Sequence, residues 1–193
     1  AELAWAGDTV AHGGVASALD ATTCTLGGFV RYREPEGGRR LRAGPLTLVV
    51  ADTRVAASTA AVNASVRALL ADSPGLHRHF REIGLLAEEA AVAAERGRLD
   101  RLGDLMNLNQ LVLERLGVSC SEIDALVAAA LDAGAVGAKL SGSGGGGIVV
   151  ALVEPADAAA VANAMEEAGG SALVTHVSGD GTRVDSALAP SPV

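Results

Sequence analysis

The chain has 193 residues, 49% of them apolar and 2% aromatic, and a formal net charge of −8. That length suits one large domain or one domain with part of another, with a core built from Ala, Val and Leu. The acidic balance and the absence of a basic stripe argue against nucleic acid as a partner, and no stretch reaches the roughly 18 apolar residues of a membrane helix.

The start, Ala-Glu-Leu-Ala-Trp-Ala-Gly-Asp, is too charged and too short in apolar length for a secretory signal. It lacks Met and shows no obvious first element, and the expectation is a piece of a longer protein. The two cysteines, Cys24 and Cys120, have no metal-like spacing and predict reduced thiols in a cytoplasmic protein.

Residues 23–33 alternate loosely and predict strand around a bend at Gly27-Gly28, followed by a polar turn over 34–40. Leu46–Ala51 predicts a short buried strand. Ser58 or Thr59 caps a helix through about Leu70, and Asp72-Ser-Pro-Gly75 breaks it. Residues 76–96 carry helical spacing, with Leu76, Phe80, Ile83, Leu86 or Ala87 and Ala90 on the inward face, and Gly97 ends them. Arg98–Leu116 predicts a second helix with Leu102, Leu105, Met106, Leu113 and Leu116 inward. A third runs from Ser119 or Ser121 to Ala133, where Ser119-x-x-Glu122 fits a capping box. A strand to Ser141, a glycine loop and a strand over 147–153 follow. Pro155–Ala168 predicts a helix with its proline in the first turn. A strand over 171–178 comes last, before a frayed tail over 186–193. Strands and helices do not strictly alternate, so the fold class is α+β.

The loop is the most informative stretch. Ala-Lys-Leu-Ser-Gly-Ser-Gly-Gly-Gly-Gly over 138–147 joins two β-like runs. Such a loop can turn sharply, admit a close neighbour, or offer backbone N–H groups to a phosphate. A tight hairpin between buried strands is an equal alternative. It matches neither of the usual nucleotide fingerprints.

Three stretches carry a resemblance: Gly134–Gly147 with its Lys139-Leu140-Ser141-Gly142-Ser143 core; Leu102-Gly-Asp-Leu-Met-Asn-Leu-Asn-Gln110 followed by Leu116-Gly-Val-Ser119 and Ile123-Asp124; and Ala51-Asp-Thr-Arg-Val-Ala-Ala-Ser-Thr59. Together, and in their order along the chain, they resemble the GHMP sugar and isoprenoid kinases, most closely the mevalonate kinase branch. Ser141 and Ser143 replace the Thr and Ala usual there. A looser match, His12-Gly-Gly-Val-Ala-Ser-Ala-Leu-Asp20, resembles the family segment that presents a catalytic aspartate, in the Ala-Ser-x-x-Asp form of some archaeal-type members.

The resemblance implies the end of an N-terminal catalytic domain over 1–44, a C-terminal ferredoxin-like α+β domain over 45–185 and a flexible tail over 186–193. It also implies transfer of the ATP γ-phosphoryl group to a small alcohol, mevalonate foremost, with Mg²⁺. Asp20 is then the catalytic base and Asp8 the metal ligand. His12, Ser17 and Thr59 lie at the substrate, and Ser141, Gly142, Ser143, Gly144, Gly145 and Gly146 form a phosphate and substrate loop.

Each has a plain alternative: a turn-starting Asp20, a solvated Asp8, a helix-capping Thr59. Lys139 either orients the loop or pairs with a helix acid. Asn107, Asn109 and Gln110 read as polar-face residues, and His77, His79 and His176 as solvated. Ala57 and Ala60 stand where the family often has basic residues, which bears on substrate identity. The family's first, lysine-bearing motif and its Gly-Ser-rich nucleotide motif do not occur in this sequence. A separate N-terminal half, or a homodimer, is therefore an expected partner. The alternatives are another GHMP enzyme, a phosphomevalonate kinase or a diphosphomevalonate decarboxylase, and a non-catalytic binding or assembly domain of kinase descent.

Overall fold

The computed structural model describes residues 2–11, 17–177 and 179–183. These fall into two compact units, the longer spanning Arg42–Val177 and the other holding the described residues on either side of it.

In the smaller unit, α1 (Glu2–Ala11) and α2 (Leu19–Leu26) precede the antiparallel hairpin β1 (Val30–Arg33) and β2 (Gly37–Arg40). The strand expected over 23–33 is therefore helix in its first part. The threonines misled: they favour strands through their branched Cβ. Here Thr23 Oγ1 donates to Leu19 O at 2.8 Å and Thr25 Oγ1 to Ala21 O at 2.6 Å, which folds both hydroxyls back onto the helix. Gly27, at φ 67°, ends the helix. The polar turn expected over 34–40 shrinks to the three residues between the strands. Helix α1 was not foreseen; its Leu3 and Val10 are largely exposed, so no buried stripe marked it.

The larger unit is built on a four-stranded antiparallel sheet of order β4-β5-β3-β6: β3 (Thr47–Asp52), β4 (Gly137–Ser141), β5 (Ile148–Val153) and β6 (Ser171–His176). Val49 pairs with Ala151 and Val174, and Leu140 with Val149. Val49, Ala51, Ala138, Leu140, Val149, Ala151 and Val153 belong to one core cluster, with Ile123, Leu126 and Ala130 of α6 (Ser121–Asp132) and Val161 and Met165 of α7 (Ala158–Glu167). This is the period-two pattern of a sheet with one face under helices.

Helix α3 (Thr59–Asp72) follows β3, with Ser58 as its N-cap. Helices α4 (His77–Glu95) and α5 (Leu99–Arg115) pack together, and α5 lies along β4. Three details differ from expectation. His79, not Phe80, turns inward on α4: it is 5% exposed and its Nδ1 lies 3.2 Å from Glu82 Oε2, whereas Phe80 is 43% exposed. A polar partner lets a histidine take a core position that periodicity assigned to the neighbouring aromatic. The capping box at Ser119 does not form: Cys120 is the N-cap, and Ser119 Oγ donates to Asp124 Oδ1 at 2.5 Å. Helix α7 starts at Ala158, after a turn holding Pro155. His176 is exposed, as expected, with its Nδ1 3.3 Å from Thr47 Oγ1. Cys24 and Cys120 are both free thiols.

Candidate active site

The glycine loop is a β4–β5 hairpin connection gripped from two directions. Gly145 N donates to Val118 O at 2.8 Å, in the turn between α5 and α6. Gly147 N donates to Val55 O at 3.1 Å, and Thr53 N to Gly147 O at 2.8 Å, in the segment between β3 and α3. The contacts leave no room for side chains at Gly144 and Gly146. A Cβ on Gly144 would sit 2.0 Å from Val118 O, and one on Gly146 2.5 Å from Val55 O. Both residues also take positive φ, 86° and 138°.

The segment before α3 is itself locally fixed. Asp52 Oδ1 accepts from Arg54 N at 2.8 Å, and Arg54 takes a φ of 60°. Asp52 thus holds the backbone of Arg54 through its carboxylate. Ser58 Oγ accepts from Ala61 N at 3.3 Å and starts α3. Thr59 is the first residue inside the helix, so capping does not account for its hydroxyl. Ser143 Oγ instead donates to Thr59 Oγ1 at 3.3 Å. Ser141, Gly142 and Thr59 are exposed beside half-buried Ser143. The site therefore presents hydroxyls and loop backbone near a helix N-terminus, a setting suited to an anion. Next to the loop, a cavity of about 390 Å³ is lined by Val62, Ser65, Val66 and Leu69 of α3 with Val118 and Gly145. Its walls carry no charged side chain, so it suits an apolar group.

The open edge of β4 is closed by side chains. Asn107 Oδ1 accepts from Ala138 N at 2.9 Å, and Gln110 Oε1 accepts from Leu140 N at 2.9 Å. Lys139 Nζ donates to Leu140 O at 2.5 Å rather than to a helix acid. Burial holds the Lys139 ammonium below its usual pKa. Helix α5 reaches the strand because Gly103 and Gly137 have no side chains: a Cβ on Gly103 would lie 2.3 Å from Val136 O. Gly103, Asn107 and Gln110 share one helix face, at i, i+4 and i+7. That spacing was the available signal that these amides do more than face solvent. The Val118 and Val55 carbonyls had none, because any residue supplies a carbonyl.

Asp20 and Ser17 belong to the smaller unit. Asp20 is exposed in the first turn of α2, and Ser17 Oγ accepts from Leu19 N at 3.2 Å. Tyr32 was not foreseen there. Its hydroxyl donates to Glu34 Oε1 at 3.2 Å, and desolvation together with Glu34 raises its pKa against an opposing pull from Ser17. Asp8 lies within α1, and His12 lies outside the described residues. Among the described residues no three His, Cys, Asp or Glu side chains gather to hold a metal, and no helix is long and apolar enough to cross a membrane.

Residues 90–171 match the family model described as GHMP kinases C terminal. This segment is a GHMP kinase C-terminal domain. The match takes in α5, the Val118 turn, the glycine loop and the strands beside it. The chain is 37% identical over 178 residues to the mevalonate kinase of Pyrococcus abyssi, covering 89% of this chain and 52% of that one. It is 36% identical over 187 residues to the mevalonate kinase of Aeropyrum pernix, covering 95% and 57%. Among solved structures it is similar to the L. major mevalonate kinase in complex with R-mevalonate, with a TM-score of 0.80 and 31% identity over 89% of this chain and 56% of that one. The Streptococcus pneumoniae phosphomevalonate kinase shares the fold, with a TM-score of 0.63 and 17% identity, over 73% of this chain and 43% of that one. The chain spans about half the length of the curated relatives it matches.

Proposed function

We propose that this chain forms the later part of a mevalonate kinase, which transfers the γ-phosphoryl group of ATP to the primary hydroxyl of mevalonate in isoprenoid biosynthesis. The observation that carries the proposal is the gripped glycine loop with Ser143 set against Thr59 at the start of α3, in a chain 34–38% identical to enzymes named mevalonate kinase. Phosphoryl transfer asks a protein mainly to position groups and offset charge, and a fixed loop beside a helix N-terminus does both.

In the proposed step the substrate hydroxyl oxygen bonds to the γ-phosphorus, the bond to the β-phosphate oxygen breaks, and ADP leaves. Asp20 orients the hydroxyl and takes its proton. His12 and Ser17 contact the substrate. The loop Ser141–Gly146 contacts phosphate through its hydroxyls and the N–H groups not already bonded to protein. Mg²⁺ carried with the nucleotide would offset phosphate charge. It needs only one or two protein carboxylates, and Asp8 is the one proposed. The nucleotide motifs missing from this sequence come from the preceding half of the enzyme, on the same chain or a separate one. The setting is the cytoplasm, in keeping with two free thiols.

The test is Mg²⁺- and ATP-dependent phosphorylation of mevalonate, with phosphomevalonate offered in parallel, by this chain with and without an N-terminal half. Asp20→Asn should cost about 10²-fold or more in kcat with the fold intact. Turnover of phosphomevalonate alone moves the assignment to that kinase. ATP binding without turnover of either alcohol moves it to a non-catalytic domain.

A further inference from the structure

We infer that Gln110 is a positioning residue for the glycine loop, holding both of its flanks through one amide. The inference rests on the kinase reading only for its effect on turnover. Gln110 is 2% exposed, in the middle of α5. Its Oε1 accepts from Leu140 N at 2.9 Å, one residue before the chain enters the loop at Ser141. Its Nε2 donates to Ser119 Oγ at 3.4 Å and to Glu114 Oε1 at 3.1 Å. Ser119 in turn donates to Asp124 on α6, and the residue before it, Val118, supplies the carbonyl that holds Gly145 N. One side chain therefore ties the incoming strand to the turn that grips the loop's far side.

The chemistry requires an acceptor and a donor on the same terminal group, which an amide has. A glutamate would still accept from Leu140 N. Ionised, it could not donate to Ser119, and it would set a second carboxylate against Glu114. Asn107, one turn earlier, holds Ala138 N at 2.9 Å and makes no bond to the turn. It caps the same strand edge without the second link, and so serves as an internal control.

Hydrogen exchange on the chain as it stands, read on peptides covering 141–147 and 148–153, tests the inference without substrate. Gln110→Ala and Gln110→Glu should speed exchange of the loop amides about tenfold, with β5 changing far less. Asn107→Ala should leave the loop close to the unsubstituted rate. Should the Gln110 variants fail to fold, Ser119→Ala keeps the bond to β4 while deleting the link to the turn and the bond to Asp124, and should speed loop exchange more than Asp124→Ala, which removes the Asp124 bond alone. Loop exchange that moves no more than in Asn107→Ala, or only in step with β5, overturns the inference. In an active preparation, Gln110→Glu should lower kcat per folded molecule more than it raises KM for the alcohol. An unchanged kcat overturns the link to turnover. If the unsubstituted chain supplied with its N-terminal half turns over no alcohol, the kinase reading falls and the exchange result alone decides the role of Gln110.

Discussion

The contact between α5 and β4 predicts that Gly103→Ala destabilises the protein, against the usual effect of that change in a helix. On helix propensity alone, alanine should gain about 1 kcal/mol over glycine. Here the added methyl would lie 2.3 Å from Val136 O and 2.6 Å from Val136 C, both backbone atoms of the strand approach that cannot swing aside. Relieving the overlap to an ordinary 3.4 Å contact takes about 1.1 Å of separation. Moved that far along the bond direction, the bonds from Asn107 to Ala138 N and from Gln110 to Leu140 N would stretch from 2.9 Å to about 4.0 Å, beyond hydrogen-bonding range. Two backbone donors on a buried strand edge would lose their partners, at about 1–3 kcal/mol each. After the helix gain is subtracted, the net loss is about 1–5 kcal/mol. Urea unfolding with m held constant reads it directly. A Gly103→Ala variant as stable as the unsubstituted protein would show that α5 does not depend on close approach.

Gly144→Ala meets Val118 O at 2.0 Å with φ at 86°, so the loop must leave the Val118 turn. The expected result is a loss of about 2 kcal/mol or more in stability and about 10²-fold in turnover, checked by urea unfolding and initial rates. Lys139 sets a pH dependence. Burial lowers its folded pKa below the ordinary value, so between those two values the unfolded chain keeps a proton that the folded chain has released. Stability from this group therefore rises with pH across that alkaline window and is flat below it. Lys139→Met should remove the rise and raise the urea midpoint at pH 7, since relief of the buried charge outweighs one bond to Leu140 O. A slope unchanged by the substitution would refute the assignment.

The helical half of the larger unit was legible because helices α4 to α6 combine apolar spacing with terminal glycines, Gly97, Gly117 and Gly134, each at positive φ. The smaller unit was less so. Its α2 is rich in threonine, whose hydroxyls bond to the preceding turn in a way that no count of β-formers shows. Among its described side chains helix α1 buries no stripe, so they carry no period to read. At the loop, the residue types that mark chemistry, Ser and Thr, were visible. The atoms that fix the loop were not: the carbonyls of Val118 and Val55 belong to residues that look like core. Asn107 and Gln110 looked like solvent-facing amides until Gly103 brought their face against β4.

The glycines of the loop need a separate account. By glycine count alone, a tight hairpin and a phosphate cradle are equal readings. In the structure Gly144 and Gly146 are buried against Val118 O and Val55 O, and Gly145 N and Gly147 N are bonded to protein. Those residues would be needed to seat the hairpin even if no ligand bound. Glycine count is thus evidence for the grip rather than for the phosphate. On the proposed reading, contact with a ligand falls to the other side of the loop, to exposed Ser141 and Gly142 and to Ser143 with its bond to Thr59. The grip and the contact are then carried by different residues. A substitution on the gripped side, such as Gly144→Ala, should lower stability and turnover together. Ser143→Ala deletes one hydroxyl at a half-buried position, and should lower turnover while leaving the urea midpoint within about 0.5 kcal/mol. If Ser143→Ala instead costs stability and spares turnover, the exposed side of the loop is structural, and the phosphate contact must be sought elsewhere.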